Sequence, residues 1–281
     1  MPSLIVLLPV HNRGSLTADF IAHLEQLLEN SMTIGVVVFD DGSTDETIKL
    51  AKQIMPKLTV VSLDGNAYWG GAINAISDYI QQHAEDHAED ALYLLANDDV
   101  RFPSKDALFA GINATNRETF ACARSTMIPD LGSESISRAA ASNITPEPSL
   151  CYHQEKGAFL TATQNSPANV ASTWAMFSTK AVWNSNLKVP QSIPHYLSDY
   201  WFTYNLTKLG FRLSQPSGFL CYVSTESTRN KPSENNLKGI MPLARDRIRS
   251  SLQVTSPGYG PAWIEFLSQE PISALVRKKV L

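Results

Sequence analysis

Cysteine is scarce in this chain: Cys122, Cys151 and Cys221 are its only three, far apart and without a C-x-x-C pair. That spacing excludes a zinc knuckle and a dithiol redox motif, and the odd, low count fits a reducing compartment. Long apolar runs are also missing, since no stretch reaches the roughly 18 residues that a membrane-spanning helix requires. The first nine residues carry no basic segment and break at Pro9, so they read as a strand and not as a secretory signal. Without such a signal, the sequons at Asn113, Asn143 and Asn205 imply little. Basic charge is in deficit, with 23 Lys and Arg against 27 Asp and Glu, a net charge of −4 that suits nucleic acid poorly. Neither a G-x-G-x-x-G fingerprint nor a P-loop is present, which argues against a dehydrogenase and an NTPase. What remains is a soluble, cytoplasmic chain. Its 281 residues, 43% hydrophobic and 18% charged, can form one large α/β domain or two smaller ones.

The first hundred residues alternate in type. Residues 4–8 are a continuous apolar run, as a strand buried on both faces requires. Leu16, Phe20, Leu24, Leu27 and Leu28 then recur at helical spacing. Residues 34–39 form a second strand, and Ser43 with Glu46 makes a capping-box pattern for a helix through Ile48, Ala51 and Met55. Residues 58–63 read as a third strand, 72–83 as a helix and 91–96 as a fourth strand. This β-α-β-α-β-α-β order demands parallel pairing, and open parallel sheets bind ligands beyond the carboxyl ends of their strands. The second half is less regular. Residues 129–150 read as a loop, 173–177 as a short apolar segment, 199–209 as a helix closed by Gly210, and 219–224 as a strand. Residues 229–242 read as a mobile loop and 245–253 as a helix.

Polar residues gather where the strands end. Asp40-Asp41-Gly42-Ser43 closes the second strand, and a carboxylate there can accept hydrogen bonds from a base or a ribose. Asn97-Asp98-Asp99 closes the fourth. Adjacent carboxylates repel unless a cation lies between them, and Mg²⁺ prefers a few carboxylates plus phosphate oxygens. Gly65 to Asn74 follows the third strand, with Gly70 and Gly71 placed to let backbone approach a ligand and with Asn66 and Asn74 as donors. The plainer alternatives are a capped turn, an exposed acidic turn, and a tight turn packed by Tyr68 and Trp69. His83 and His87, four apart, could share a metal but read more simply as a solvated helix end among Glu85, Asp86, Glu89 and Asp90.

In order and spacing, four segments together resemble family 2 glycosyltransferases of the GT-A fold, and within them the rhamnosyltransferase branch. They are Leu7-Leu8-Pro9-Val10-His11-Asn12-Arg13, Asp40 through Asp45, Gly65 through Asn74, and Asn97-Asp98-Asp99-Val100. The resemblance covers residues 4–105 and thins over 170–230. It implies one α/β GT-A domain over 1–281. A Rossmann-like nucleotide-sugar half with a mostly parallel sheet would fill 1–105, an acceptor and catalytic half 106–228, and the mobile loop with a C-terminal helical region 229–281. It implies inverting transfer from a UDP-, dTDP- or GDP-sugar to a hydroxyl of a glycan or lipid-linked acceptor.

By the same resemblance Pro9, Val10, His11 and Arg13 pack on the nucleobase and Asp40 bonds it, with Asn66, Gly70, Gly71, Asn74 and Asn97 completing the nucleotide site. The D-x-D metal motif matches Ala96-Asn97-Asp98 with Asp99 following, so its first aspartate is missing. Asp98 is then the first candidate ligand for Mg²⁺ or Mn²⁺ and Asp99 the second. The E-D motif that holds the family's catalytic base matches Ser198-Asp199, making Asp199 the base. Trp174, Tyr200 and Trp201 would face the acceptor, and Arg229 and Lys231 would close over the diphosphate. No His stands in Val223 to Ser227, where the family often adds a metal ligand. Two other readings are a degenerate nucleotide- or glycan-binding protein and a sugar nucleotidyltransferase. The second wants a basic Gly-rich loop after strand one, where only His11-Asn12-Arg13-Gly14 stands. The apolar tail around Trp263, Phe266, Leu267, Leu275 and Val276, ending in basic residues, would allow peripheral contact with the inner face of a membrane.

Overall fold

The structure, a computed structural model, describes residues 4–88, 91–142, 145–153, 158–191 and 198–224. Its elements run in the order β1 (Leu4–Val10), α1 (Ser15–Leu28), β2 (Ile34–Asp40), α2 (Thr47–Ile54), β3 (Thr59–Ser62), α3 (Tyr68–Gln82) and β4 (Leu92–Ala96). Then come β5 (Val100–Arg101), α4 (Lys105–Asn113), β6 (Thr119–Cys122), β7 (Arg124–Ile128), α5 (Ser133–Ala141), β8 (Leu150–His153) and β9 (Ala158–Thr161). The last are β10 (Ala175–Thr179), α6 (Lys180–Asn184), α7 (Ser198–Lys208), β11 (Arg212–Ser214) and β12 (Leu220–Ser224).

Side-chain alternation along β1 explains its apolar run. Leu4, Val6, Leu8 and Val10 enter one core, and Ile5 and Leu7 enter the other. Phe20, Ile21, Leu24 and Leu28 of α1 cover the first face. Ile73, Ile76 and Ile80 of α3, Trp183 of α6, and Phe202 and Leu206 of α7 cover the second. A strand with both faces covered has no polar side to alternate with.

The four expected strands pair in parallel, in the order β3-β2-β1-β4. The chain steps outward from β1 to β3 and then returns to the far side of β1. The loops after β1 and β4 therefore diverge, and a crevice opens between them at the carboxyl edge. Beyond β4 the sheet continues with β10 antiparallel to it, then β6 antiparallel to β10, then β11 parallel to β6, giving seven strands. The chain from β6 runs through Ala123 into β7, which joins β12 and β5 in a second sheet of three. A hairpin of β8 and β9 forms a third.

Several expectations shift. Ser43 does not cap α2: its Oγ accepts the Asn12 N–H at 2.9 Å, and Asp45 accepts the N–H of Thr47 at 3.0 Å. α3 begins four residues earlier than the apolar spacing indicates, so Gly70 and Gly71 lie inside its first turn and not before it. The cause is a cap from another loop, described below. The stretch 129–150 contains α5, which the sequence hides because its only apolar contacts are Ile136 and Ala139 against Ile128 and Tyr222. Alanines and an i,i+4 pair of Glu134 with Arg138 support the rest of α5. His83 and His87 are half-buried instead of solvated: His83 stacks on Tyr79 with centroids 4.2 Å apart, and His87 Nδ1 meets the Tyr93 hydroxyl at 2.9 Å. The 229–242 loop, the 245–253 helix, Arg229, Lys231 and the apolar tail all lie outside the described residues. Among the described residues, no helix is long and apolar enough to cross a membrane.

Candidate active site

The loops after β1, β2 and β3 are sewn to one another. Asn12, at φ 49°, turns its Oδ1 to the N–H groups of Thr44 and Asp45 at 2.8 and 3.3 Å. The Arg13 and Gly14 N–H groups reach Thr47 Oγ1 at 2.8 and 2.9 Å. His11 donates from Nδ1 to the Asp41 carbonyl at 2.5 Å, and its other nitrogen accepts from the Asn12 amide. The Asp41 carboxylate takes the N–H groups of Ala67 and Tyr68 at 3.0 and 2.8 Å, which caps α3 from 26 residues away. Gly42 lies at φ 70°, and a Cβ on it would stand 2.9 Å from the Gly65 Cα. Only glycine lets these two loops approach so closely. Asp40, at the lip, accepts the Ser43 N–H at 3.0 Å with one oxygen. Pro9 is partly exposed in β1, whereas Val10 is a core residue.

Across the crevice, Asp98 and Asp99 follow β4 and are 1% and 4% exposed. Arg13 bridges to both: Nε lies 2.7 Å from Asp98 Oδ1 and Nη2 lies 3.0 Å from Asp99 Oδ2. Thr17 Oγ1 donates to Asp98 Oδ2 at 2.7 Å, so both oxygens of Asp98 are engaged. Burial raises the Asp98 carboxyl above its ordinary value, against the opposing pull of Arg13 and Thr17. Asp99 differs: its Oδ1 is buried and has no hydrogen-bond partner. Behind the pair, the buried Arg101 donates to the carbonyls of Asp98 and Val100 at 3.1 and 2.7 Å and stands over the Phe20 ring. Thr17 and Arg101 are missing from the sequence reading. No local pattern marks Thr17, since it belongs to α1 and serves a residue 81 positions away.

The remaining expected residues divide. The Asn97 N–H bonds the Trp174 carbonyl at 3.0 Å, which sets the end of β4 against the chain entering β10. The same segment reaches Asp199. At the first turn of α7, the Asp199 carboxylate accepts from the Ser172 hydroxyl and the N–H groups of Thr173 and Tyr200, the last at 2.9 Å. Burial still raises its carboxyl, because desolvation outweighs these donors and the Asp199 N–H itself. Residues 172–174 thus join the acidic pair of β4 to the carboxylate of α7. Trp174 packs partly on the first core and Trp201 partly on the second, and Tyr200 is half-buried beside Asp199. Asn66 is exposed on its turn. Asn74 stands apart from the crevice: its amide donates to the Val189 carbonyl at 2.8 Å and accepts the Val189 N–H at 2.7 Å, so it is a structural bridge. Gly70 and Gly71 are helical and offer no open loop backbone.

The arrangement offers one unpartnered carboxylate oxygen, Asp99 Oδ1, to a cation, and in Asp199 a second carboxylate whose raised pKa suits it to accept a proton. Among the described residues no cluster of three or more His, Cys, Asp or Glu side chains forms a self-sufficient metal site. The fit is therefore to a cation completed by ligand oxygens, which Mg²⁺ and Mn²⁺ accept readily.

Comparison with known proteins bears on the fold. The family model for glycosyl transferase family 2 matches residues 5–119, a span that includes Arg13, Asp40 and the Asp98–Asp99 pair and stops short of Asp199. The chain is similar to the mannosyltransferase PcManGT from Pyrobaculum calidifontis in complex with GDP-Man and Mn²⁺, at 14% identity and a TM-score of 0.57 over 92% of this chain and 66% of that one. It is similar to S. aureus TarS 1-349 in complex with UDP-GlcNAc, at 16% identity and a TM-score of 0.55 over 88% of this chain and 66% of that one. It is also similar to glucosyl-3-phosphoglycerate synthase from Mycobacterium tuberculosis in complex with Mn²⁺, UDP and glucosyl-3-phosphoglycerate, at 14% identity and a TM-score of 0.54 over 92% and 82%. The chain spans just under two thirds of the first two. At these identities the likeness is one of fold, and that fold is GT-A, as the four motifs imply. No curated protein sequence matches the chain.

Proposed function

We propose that this chain is an inverting glycosyltransferase that moves a sugar from a nucleoside-diphospho-sugar to a hydroxyl of a glycan or lipid-linked acceptor. One observation carries the reading above the others. Two carboxylates of different character, Asp99 with an unpartnered buried oxygen and Asp199 with a raised pKa, are linked through residues 172–174 beside the end of β4 in a mostly parallel sheet. The family match over the donor-side half and the nucleotide-sugar complexes among the structural neighbours support the same reading. The narrower rhamnosyltransferase branch rests on motif resemblance alone.

In this mechanism the nucleotide lies over the lip formed by Pro9, His11, Arg13 and Asp40. Asp99 would hold Mg²⁺ or Mn²⁺ through its free oxygen, with Asp98 fixed behind it by Arg13 and Thr17. When bound, that cation supplies positive charge opposite the departing diphosphate. This reverses the order expected from the sequence, where Asp98 ranks first. Asp199 takes the proton from the acceptor hydroxyl as its oxygen attacks the anomeric carbon. The new C–O bond forms on the face opposite the breaking one, whose electron pair leaves with the nucleoside diphosphate. A raised pKa makes Asp199 a stronger base than an exposed aspartate, and its hydrogen bonds hold the carboxylate in place.

The test is sugar transfer by the whole chain from a panel of UDP-, GDP- and dTDP-sugars. Asp199→Asn is expected to lower turnover by at least about 10²-fold, the usual scale of a lost general base, while donor binding survives. Normal turnover in that variant removes the base assignment. Asp99→Asn is expected to abolish the Mn²⁺ dependence of donor binding. A wild type that binds donors and turns none over supports the binding-protein reading instead.

A further inference from the structure

A small cavity at the carboxyl edge of the sheet is used neither by the donor residues nor by the base. It measures about 30 Å³, and the described residues around it include Arg124, Ser125, Glu147, Ser172, Tyr200 and Gln215. Two of the residues that line it carry a buried polar atom with no hydrogen-bond partner, Arg124 at Nε and Gln215 at Oε1. One is a donor and the other an acceptor. Leaving such atoms unpaired is costly, and a hydroxyl, which donates and accepts at once, satisfies both. A space of about 30 Å³ admits a single group of that size.

Its position gives it a role. Ser172 and Tyr200 line the cavity and also hold the Asp199 carboxylate, so the two sites share a wall. At the rim, Glu147 Oε2 accepts from the Ser125 hydroxyl at 3.0 Å, and the Glu147 N–H bonds the Ser125 carbonyl at 2.9 Å. The Glu147 carboxylate and the Arg124 guanidinium line the same notch and offset each other in charge, so it offers no net charge to an incoming phosphate or ammonium. A neutral hydroxyl matches that balance.

We infer that this notch is an acceptor subsite that takes a hydroxyl adjacent to the one Asp199 deprotonates, and that the acceptor end is therefore a neutral sugar ring with a vicinal diol. The inference rests on Asp199 being the base and adds Arg124, Gln215 and Glu147 as residues that select the acceptor. A simple alcohol would leave Arg124 Nε and Gln215 Oε1 unpaired, as would a ring lacking the neighbouring hydroxyl.

The experiment is saturation-transfer NMR on the whole chain, with and without UDP, GDP or dTDP and Mn²⁺. The probes are methyl α-mannopyranoside, methyl α-rhamnopyranoside, methyl β-glucopyranoside and, as a single-hydroxyl control, cyclohexanol. At least one pyranoside is expected to bind and cyclohexanol is not. Arg124→Met and Gln215→Leu are each expected to weaken pyranoside binding about tenfold, the scale of one lost buried hydrogen bond. Nucleotide affinity, read by calorimetry on the same samples, should not change, and that also shows the variants are folded. Absence of pyranoside binding, or equal binding in wild type and both variants, overturns the inference and leaves the cavity to a structural water. Loss of nucleotide binding in the wild type instead strikes the donor-site reading, while the nucleotide-free arm still decides the notch.

Discussion

Arg13 satisfies two carboxylates, and its removal leaves Asp98 buried with Thr17 as its remaining side-chain partner among the described residues. Breaking one side of a buried pair typically costs about 3–5 kcal/mol, more than the pair itself contributes. Arg13→Met is expected to lower stability by about that amount in urea unfolding, and adding Asp98→Asn should recover part of the loss. Asp199 yields a prediction in pH. Its folded pKa is raised above the ordinary 3.8, so the native state holds its proton more tightly than the unfolded chain does. The stability this gives is complete below 3.8 and is lost as pH rises through the folded value. Unfolding free energies measured from pH 3.5 upward should therefore fall less steeply in Asp199→Asn than in wild type. The rate of transfer should run the other way, dropping as pH falls through the same pKa, because the base must be ionised to accept a proton. At this scale the sequence was legible in kind but not in pairing. It shows that Asp98, Asp99 and Asp199 stand at element ends. It cannot show that Arg13 and Thr17 occupy Asp98 and leave Asp99 open, because those contacts join residues more than 80 positions apart.

At the scale of elements, the carboxyl edge of β1, β2 and β3 depends on how closely the β2–α2 and β3–α3 loops approach. Gly42→Ala is expected to cost at least about 1–2 kcal/mol for the left-handed backbone alone. Its new methyl would also push against the Gly65 backbone. The check is paired: a lower melting temperature together with weaker nucleotide binding, since the same movement shifts Asp40 and the Asp41 cap of α3. The four parallel strands are readable from residues 4–96 because strands buried on both faces must be apolar throughout. The start of α3 is not readable, because its cap comes from Asp41 in another loop. α5 is not readable either, because two apolar residues make no stripe. Asn74 misleads for a related reason. It lies in a segment that resembles a ligand loop, yet its amide is consumed by Val189, 115 residues later.

At the scale of the molecule, a seven-stranded sheet joins the four parallel strands β1 to β4 to β10, β6 and β11, and residues 172–174 tie the end of β4 to the first turn of α7. The scarcity of cysteine and of basic charge narrows the field of functions without locating a site. Location comes from the order of strands, which sets the loops after β1 and β4 across from each other. The central claim is that this crevice binds a nucleoside-diphospho-sugar. The measurement that tests it most directly is the melting temperature of the whole chain with UDP-, GDP-, dTDP- and CMP-sugars, each with and without Mn²⁺. At least one diphospho-sugar is expected to raise the melting temperature by about 5 °C at a hundredfold excess over its Kd. Mn²⁺ should enlarge the shift in wild type but not in Asp99→Asn, and the CMP-sugar, which lacks a diphosphate, should produce none. No shift with any diphospho-sugar, or the same shift from the CMP-sugar, would contradict the claim.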